Sequence, residues 1–232
     1  MADIKELEGI LDYRFSDPTL LRQSLVHSSV LNENQAPDTQ SNERMEYLGD
    51  AVLGLIIAHQ LYDMMPSVAE GELTRLRAGL VCRATLALLS GRINLGEYLF
   101  IGKGEEASGG RSKPANLARG LEAVIGAVYL DGGLDKARHV IDNLYGSELE
   151  QLALNQACAD SKSRLQEFAQ ARQMGQPAYR IINTEGPVHA PIFTAEVLLS
   201  DVPIASGAGR SKKLAESRAA FNALKSLEDK SG

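Results

Sequence analysis

Residues 42–53 read Asn-Glu-Arg-Met-Glu-Tyr-Leu-Gly-Asp-Ala-Val-Leu. Asn42, or Ser41 before it, has the side chain of a helix N-cap. Met45, Leu48, Val52, Leu55, Ile56 and His59 then recur at helical spacing. On that helix Glu46 and Asp50 lie four residues apart, one above the other on the same face. Two like charges so placed repel by a few tenths of a kcal/mol unless something positive sits between them. Carboxylate oxygens suit Mg²⁺, which accepts one or two of them and keeps several waters. Taken alone, the pair fits a solvated acidic face at least as well. Glu122 shifts the balance. It stands in the segment 117–130 among Leu121, Ala123, Val124, Ile125, Ala127 and Val128, where a lone carboxylate needs a partner or an ion.

Around this pair the first part of the chain is patterned for helices throughout. Asp17-Pro18 supplies a cap and a first-turn proline for a helix through Leu20, Leu21, Leu25 and Ser28. Leu73, Leu76 and Leu80, then Leu86 and Leu89, mark two further stripes. The segment 102–114, rich in glycine and charge, reads as a surface loop. It lacks the Gly-Lys-Ser/Thr ending of a phosphate loop. Asp131-Gly132-Gly133 stops the apolar helix. Residues 134–154 form one more helix, interrupted near Gly146. His27 and His59 read as structural, and His139 as a solvated helix residue, so no nucleophile–histidine pair is evident.

After a small-residue polar connection at 154–160 the pattern changes. A helix carrying Leu165, Phe168, Ala169 and Arg172, capped by Asp160, Ser161 or Ser163, precedes strands at 178–183, 192–200 and 202–207. A final helix at 211–227 follows. Order α-β-β-β-α in so short a segment predicts one small sheet with both helices on one side. Charge divides the same way: residues 1–155 hold 22 Asp and Glu against 14 Lys and Arg, and residues 156–232 hold 8 against 10. The first balance suits cations and the second an anionic polymer. The whole chain, at net −6, has no general affinity for nucleic acid.

Residues 42–53 resemble the signature of the bacterial ribonuclease III family. So do Gly71-Glu72-Leu73-Thr74-Arg75-Leu76-Arg77 and residues 122–131, Glu-Ala-Val-Ile-Gly-Ala-Val-Tyr-Leu-Asp. The resemblance implies a mainly α protein, with an all-helical endonuclease domain at 3–154 and a small α-β-β-β-α double-stranded RNA-binding domain at 160–230. It implies a homodimeric, Mg²⁺-dependent enzyme cutting double-stranded RNA to 5′-phosphate and 3′-hydroxyl ends, with ribosomal and messenger RNA precursors as substrates. Carried over by position, Glu46, Asp50 and Glu122 are metal ligands, Asp50 and Glu122 catalytic, and Glu43 lies near the cleaved RNA. The family has an Asp where this chain has Arg119, which cannot bind a cation and at i, i+3 should pair with Glu122. Either the three remaining carboxylates still hold Mg²⁺, aided by a neighbour, or cleavage is weakened or lost and RNA binding survives.

The second segment resembles a double-stranded RNA-binding domain in Ser163-Arg164-Leu165-Gln166-Glu167, Tyr179-Arg180, residues 186–190 and residues 207–216. By position, Gln166 and His189 reach the minor groove, a mode that reads A-form shape rather than sequence. Physically, Ser211 caps the last helix, and Lys212 and Lys213 sit in its first turn. There cations oppose the helix dipole, a placement explained by an anion docking on the free N–H groups.

Composition excludes other classes. With 44% hydrophobic residues the chain is globular rather than disordered. Its longest apolar run, at 51–58, is far below the ~20 residues of a membrane span. The first residues carry no signal-peptide pattern. Cys82 and Cys158 are isolated, so neither a disulfide framework nor a cysteine zinc site is readable. A cytoplasmic protein is expected, with no membrane partner and no small-molecule cofactor.

Overall fold

The computed structural model describes residues 3–31, 40–187 and 191–229 and divides into two units, Met1–Glu148 and Leu149–Gly232. The first unit is helical: α1 (Ile4–Leu11), α2 (Pro18–Ser24), α3 (Glu43–Met64), α4 (Glu70–Leu80), α5 (Arg83–Arg92), a short α6 (Lys103–Ala107) and the first part of α7 (Pro114–Ala171). Asp17 caps α2 as expected, its Oδ1 accepting from the Thr19 N–H at 2.9 Å. The helix nevertheless ends at Ser24, short of Ser28. The reason is that residues 25–27 pair instead with Phe100, whose N–H donates to Leu25 O (2.8 Å) and whose O accepts from His27 N–H (2.9 Å).

Asn42 precedes α3 but its side chain caps nothing. Its Nδ2 donates to Ser24 O at 3.0 Å and its N–H to Val26 O at 2.8 Å. Asn42 therefore ties the start of α3 to the end of α2, which sets where the acidic turn of α3 begins. Residues 102–114, expected as a loop, form α6 and a 3₁₀ turn at Gly110–Ser112. Side chains hold this segment in place. The Arg111 guanidinium donates to Gly96 O and Leu99 O, and Lys113 and Asn116 both donate to Glu105.

The apolar stretch before Asp131 is helical as read, and Leu121, Ala123, Val124, Ile125, Ala127 and Val128 are all buried. Leu53, Ile56, Ile57, Leu86, Leu89, Ile141 and Tyr145 of the same unit are buried as well. Gly133 (φ 78°, ψ −170°) breaks the helix, the backbone excursion that glycine alone makes cheaply. Gly146 does not interrupt it. Residues 154–160 are also helical rather than an irregular connection. An interior glycine costs only about 1 kcal/mol against alanine, and the Leu- and Ala-rich run beyond it has high helix propensity. For the same reason Asp160, Ser161 and Ser163 cap nothing. Ser161 Oγ instead donates back to Ala157 O at 2.6 Å.

The second unit adds β1 (Ala178–Glu185), β2 (Ile192–Leu199), β3 (Val202–Gly209) and α8 (Lys212–Asp229) to the last part of α7. The sheet is antiparallel in the order β1-β2-β3. Ser200 and Asp201, both at positive φ (47° and 62°), make the two-residue turn whose twist matches a hairpin. One core joins Leu165 of α7, Val197 of β2 and Ala219, Ala220, Ala223 and Leu224 of α8. A Cβ on Gly207 would lie 2.3 Å from the Ala219 amide nitrogen, so α8 rests directly on β3. Arg218 and Asn222 then donate to Ala208 O and Ser206 O at 2.8 Å each, which satisfies carbonyls of an edge strand.

Candidate active site

The position of the acidic cluster follows from two glycines. A Cβ built on Gly49 of α3 would lie 1.8 Å from the Glu122 carbonyl oxygen of α7. One built on Gly126 would lie 2.3 Å from Met45 O. The two helix backbones are therefore in direct contact, nearer than any side chain allows, and the contact lies between Glu46 and Asp50 on one helix and Glu122 on the other. Sequence reading named the acids but missed these glycines. The available signal was small residues one position before Asp50 and four after Glu122.

Electrostatics show what this contact does. Burial raises the Glu122 carboxyl from its ordinary 4.5 to about 7, and the nearby negative charges of Asp50 and Glu46 push the same way against Arg119. Burial likewise raises Glu46; Arg119 opposes the shift, and Glu43 and Asp50 add to it. Glu43, exposed at the start of α3, accepts from Ser41 Oγ at 2.8 Å. Arg119 pairs across the contact with Glu46, Nε to Oε1 at 3.4 Å, rather than along its own helix with Glu122 as expected. It acts on Glu122 only through its field.

Among the described residues, no three His, Cys, Asp or Glu side chains are gathered closely enough to enclose an ion as they stand. The donor set still fits Mg²⁺. Its atoms are all carboxylate oxygens, its negative charge is only partly compensated, and Mg²⁺ needs one or two protein carboxylates with waters completing the shell. None of the described histidines takes part. His27 Nδ1 accepts from the Ser29 N–H, His59 pairs with Asp63 and His139 with Asp12.

Linkage gives the raised Glu122 a measurable sign. Between about pH 4.5 and 7 the unfolded chain loses this proton while the folded chain keeps it, so folding stability falls with rising pH and then levels. The metal-free protein is expected to lose melting temperature between pH 5 and 7.5. Glu122→Gln should lack that part of the loss, and a divalent cation should reverse it at pH 7.5. Identical pH profiles for the two proteins in calorimetry would count against this account of Glu122.

In the second unit, Ser211 Oγ accepts from the Leu214 N–H at 3.2 Å, so Ser211 caps α8 as read. Lys212 and Lys213 stand exposed in the first turn, and Gln166 is exposed on α7. His189 lies outside the described residues. Lys162 packs over the Tyr179 ring, 4.5 Å from its centroid, and pairs with Glu216.

A family model described as Ribonuclease-III-like matches residues 17–149, and one described as a double-stranded RNA binding motif matches residues 161–227. The chain belongs to the ribonuclease III family. Among relatives of this chain, the Ribonuclease 3 of Dehalococcoides mccartyi strain CBDB1 is 49% identical over 229 residues, covering 99% of this chain and 97% of its own. That of Solibacter usitatus is 45% identical over 225 residues, or 92% and 83%. The nuclease domain of ribonuclease III from Campylobacter jejuni superposes with a TM-score of 0.58 at 37% identity, over 62% of this chain and 97% of that domain. The ribonuclease III family is divalent-metal dependent, in keeping with an acidic cluster whose charge Arg119 only partly offsets. No helix among the described residues is long and apolar enough to cross a membrane.

Proposed function

We propose that this protein is an endoribonuclease that hydrolyses double-stranded RNA to 5′-phosphate and 3′-hydroxyl ends with Mg²⁺ as its cofactor. The reading rests on one observation: α3 and α7 touch at the Gly49–Gly126 contact, which holds Glu122 within the field of Asp50 and Glu46, in a chain that also carries a duplex-binding unit. Glu46, Asp50 and Glu122 would hold the cation, and Asp50 and Glu122 would face the reacting phosphate. When bound, the cation would supply charge neutralisation and an acidified water. In the overall reaction a water oxygen bonds to phosphorus, the bond to the 3′-oxygen breaks, and that oxygen leaves with a proton. Glu43, exposed at the start of α3, would lie beside the RNA. No small-molecule cofactor is needed, and a cytoplasmic setting with ribosomal and messenger RNA precursors as substrates fits this chemistry.

The second unit would hold the duplex. Lys212 and Lys213 would meet phosphates at the capped start of α8, with Gln166 and His189 in the minor groove. Lys212→Ala with Lys213→Ala is expected to weaken duplex binding roughly tenfold near physiological salt and to flatten its salt dependence by about two counter-ions. Unchanged affinity in a gel-shift titration would remove α8 from the interface.

Homodimer formation is part of this reading. The Campylobacter jejuni domain is described with a region involved in dimer formation. Here Leu20, Met45, Leu48 and the exposed Tyr47 and Leu130 line one surface groove of the first unit, an apolar surface suited to a second copy. Paired sites would each cut one strand.

The decisive experiment is incubation of end-labelled duplex and single-stranded RNA with Mg²⁺ or with chelator. Cleavage of the duplex alone, and only with Mg²⁺, is expected. Intact duplex with a clear gel shift would instead favour a non-cleaving RNA-binding protein. The Arg119–Glu46 ion pair, which occupies one of the acids, is the observation that favours this second reading.

A further inference from the structure

We infer that Arg119 is a displaceable counter-charge: it leaves Glu46 when a divalent cation arrives and turns its guanidinium to the phosphodiester of the bound duplex. The inference deepens the proposed nuclease reading and rests on it. The ion pair has the geometry of a weak, reversible contact. Its Nε–Oε1 separation of 3.4 Å, with Arg119 54% exposed, exceeds the 2.7–2.9 Å of a strong charge-assisted hydrogen bond. Water around the largely exposed guanidinium screens its attraction for Glu46, whose own side chain is only 26% exposed. A cation taking up Glu46 therefore needs to displace only a loose partner.

Once displaced, the guanidinium remains within the field of Glu122, beside the cluster a phosphate must approach. Glu43, Glu46, Asp50 and Glu122 all repel that phosphate, whereas Arg119 carries the charge that attracts it. Its planar fork matches two phosphate oxygens at once, as an ammonium does not. One side chain would then serve in turn as a stand-in for the metal's charge and as a contact to the RNA backbone. Arg119 is on this account a positioning residue for the phosphate.

The test reads metal uptake directly. Free Mn²⁺ is followed by electron paramagnetic resonance in titrations of the full-length chain without RNA. Arg119→Ala should bind Mn²⁺ about five- to tenfold more tightly than the parent, because it frees Glu46 and removes a nearby positive charge. Arg119→Lys, which keeps the charge, should stay near the parent. In the Glu122→Gln background, at Mn²⁺ high enough to saturate that variant, adding Arg119→Ala should lower the salt slope of duplex binding by about one counter-ion.

Asp50→Asn and Glu122→Gln are the reference arms. If they weaken Mn²⁺ uptake while Arg119→Ala leaves it unchanged, the inference about Arg119 is overturned and the acidic site stands. If neither of them alters Mn²⁺ uptake, the acidic cluster is not the metal site and both fall. Arg119→Lys behaving like Arg119→Ala, or an unchanged salt slope, would also overturn the inference.

Discussion

Glu122→Gln is expected to lower the rate of duplex cleavage by roughly three orders of magnitude while leaving duplex affinity unchanged. The substitution is nearly isosteric, so the contact of α3 with α7 should survive. It removes one negative charge from a cluster of which Glu122 is the half-buried member. That burial is what raises its carboxyl to about 7, and it makes Glu122 the acid whose ionised form depends most on a nearby cation. Losing one group that fixes transition-state charge commonly slows a reaction about 10²–10³-fold, and a lost metal ligand adds to that. Duplex affinity should hold because Lys212, Lys213 and Gln166 belong to a separate unit. Single-turnover cleavage beside a gel-shift titration checks both halves. A mutant that cuts at the parent rate would exclude Glu122 from the site, and one that loses both activities would point to misfolding. Asp50→Asn should behave alike, while Glu43→Gln, at an exposed position, should cost far less.

How much of this was legible beforehand depends on the range of the interaction concerned. The two-unit organisation, the order of helices and strands, the Asp17 and Ser211 caps and the break at Gly133 all follow from short-range rules of spacing, capping and glycine conformation. Features that failed were decided by distant partners. Helix α2 stops early because residues 25–27 find Phe100, and Asn42 gives up its capping role to bond Ser24 O. Residues 102–114 are ordered by Arg111 bonding carbonyls of residues 96 and 99. At the site, the acids were legible as residues in a pattern, but the contact of α3 with α7 that sets them in one another's field was not. Arg119 was assigned to Glu122 because no other acid lies three or four residues from it along its own helix, yet its partner Glu46 lies on the other helix. The glycines that bring those helices together look, in sequence, like ordinary weak points in helices.

Those glycines carry the largest expected effect on stability. Gly49→Ala should destabilise the protein by about 3 kcal/mol, at the upper end of the usual overpacking range, and lower its melting temperature by roughly 6–12 °C. The added methyl would fall 1.8 Å from the Glu122 carbonyl oxygen and 2.9 Å from the Gly126 nitrogen. Both are backbone atoms, which cannot rotate aside as a side chain would, so the helices must separate. Gly54→Ala is the control on the same helix. A Cβ there meets nothing within 4 Å, so the ordinary alanine preference should make it neutral or stabilising by up to about 1 kcal/mol. The pair of variants thus separates the helical cost of glycine from its role in the contact. A second readout tests what the contact is for. Drawing α7 away from α3 moves Glu122 from Asp50 and Glu46 and opens it to solvent, removing both causes of its raised carboxyl. Gly49→Ala should therefore flatten the fall in metal-free stability between pH 5 and 7.5 and weaken Mn²⁺ uptake, although no acidic residue has changed. Equal melting temperatures for Gly49→Ala and the parent would mean that the two backbones do not touch, and the proposed metal site would lose its structural basis.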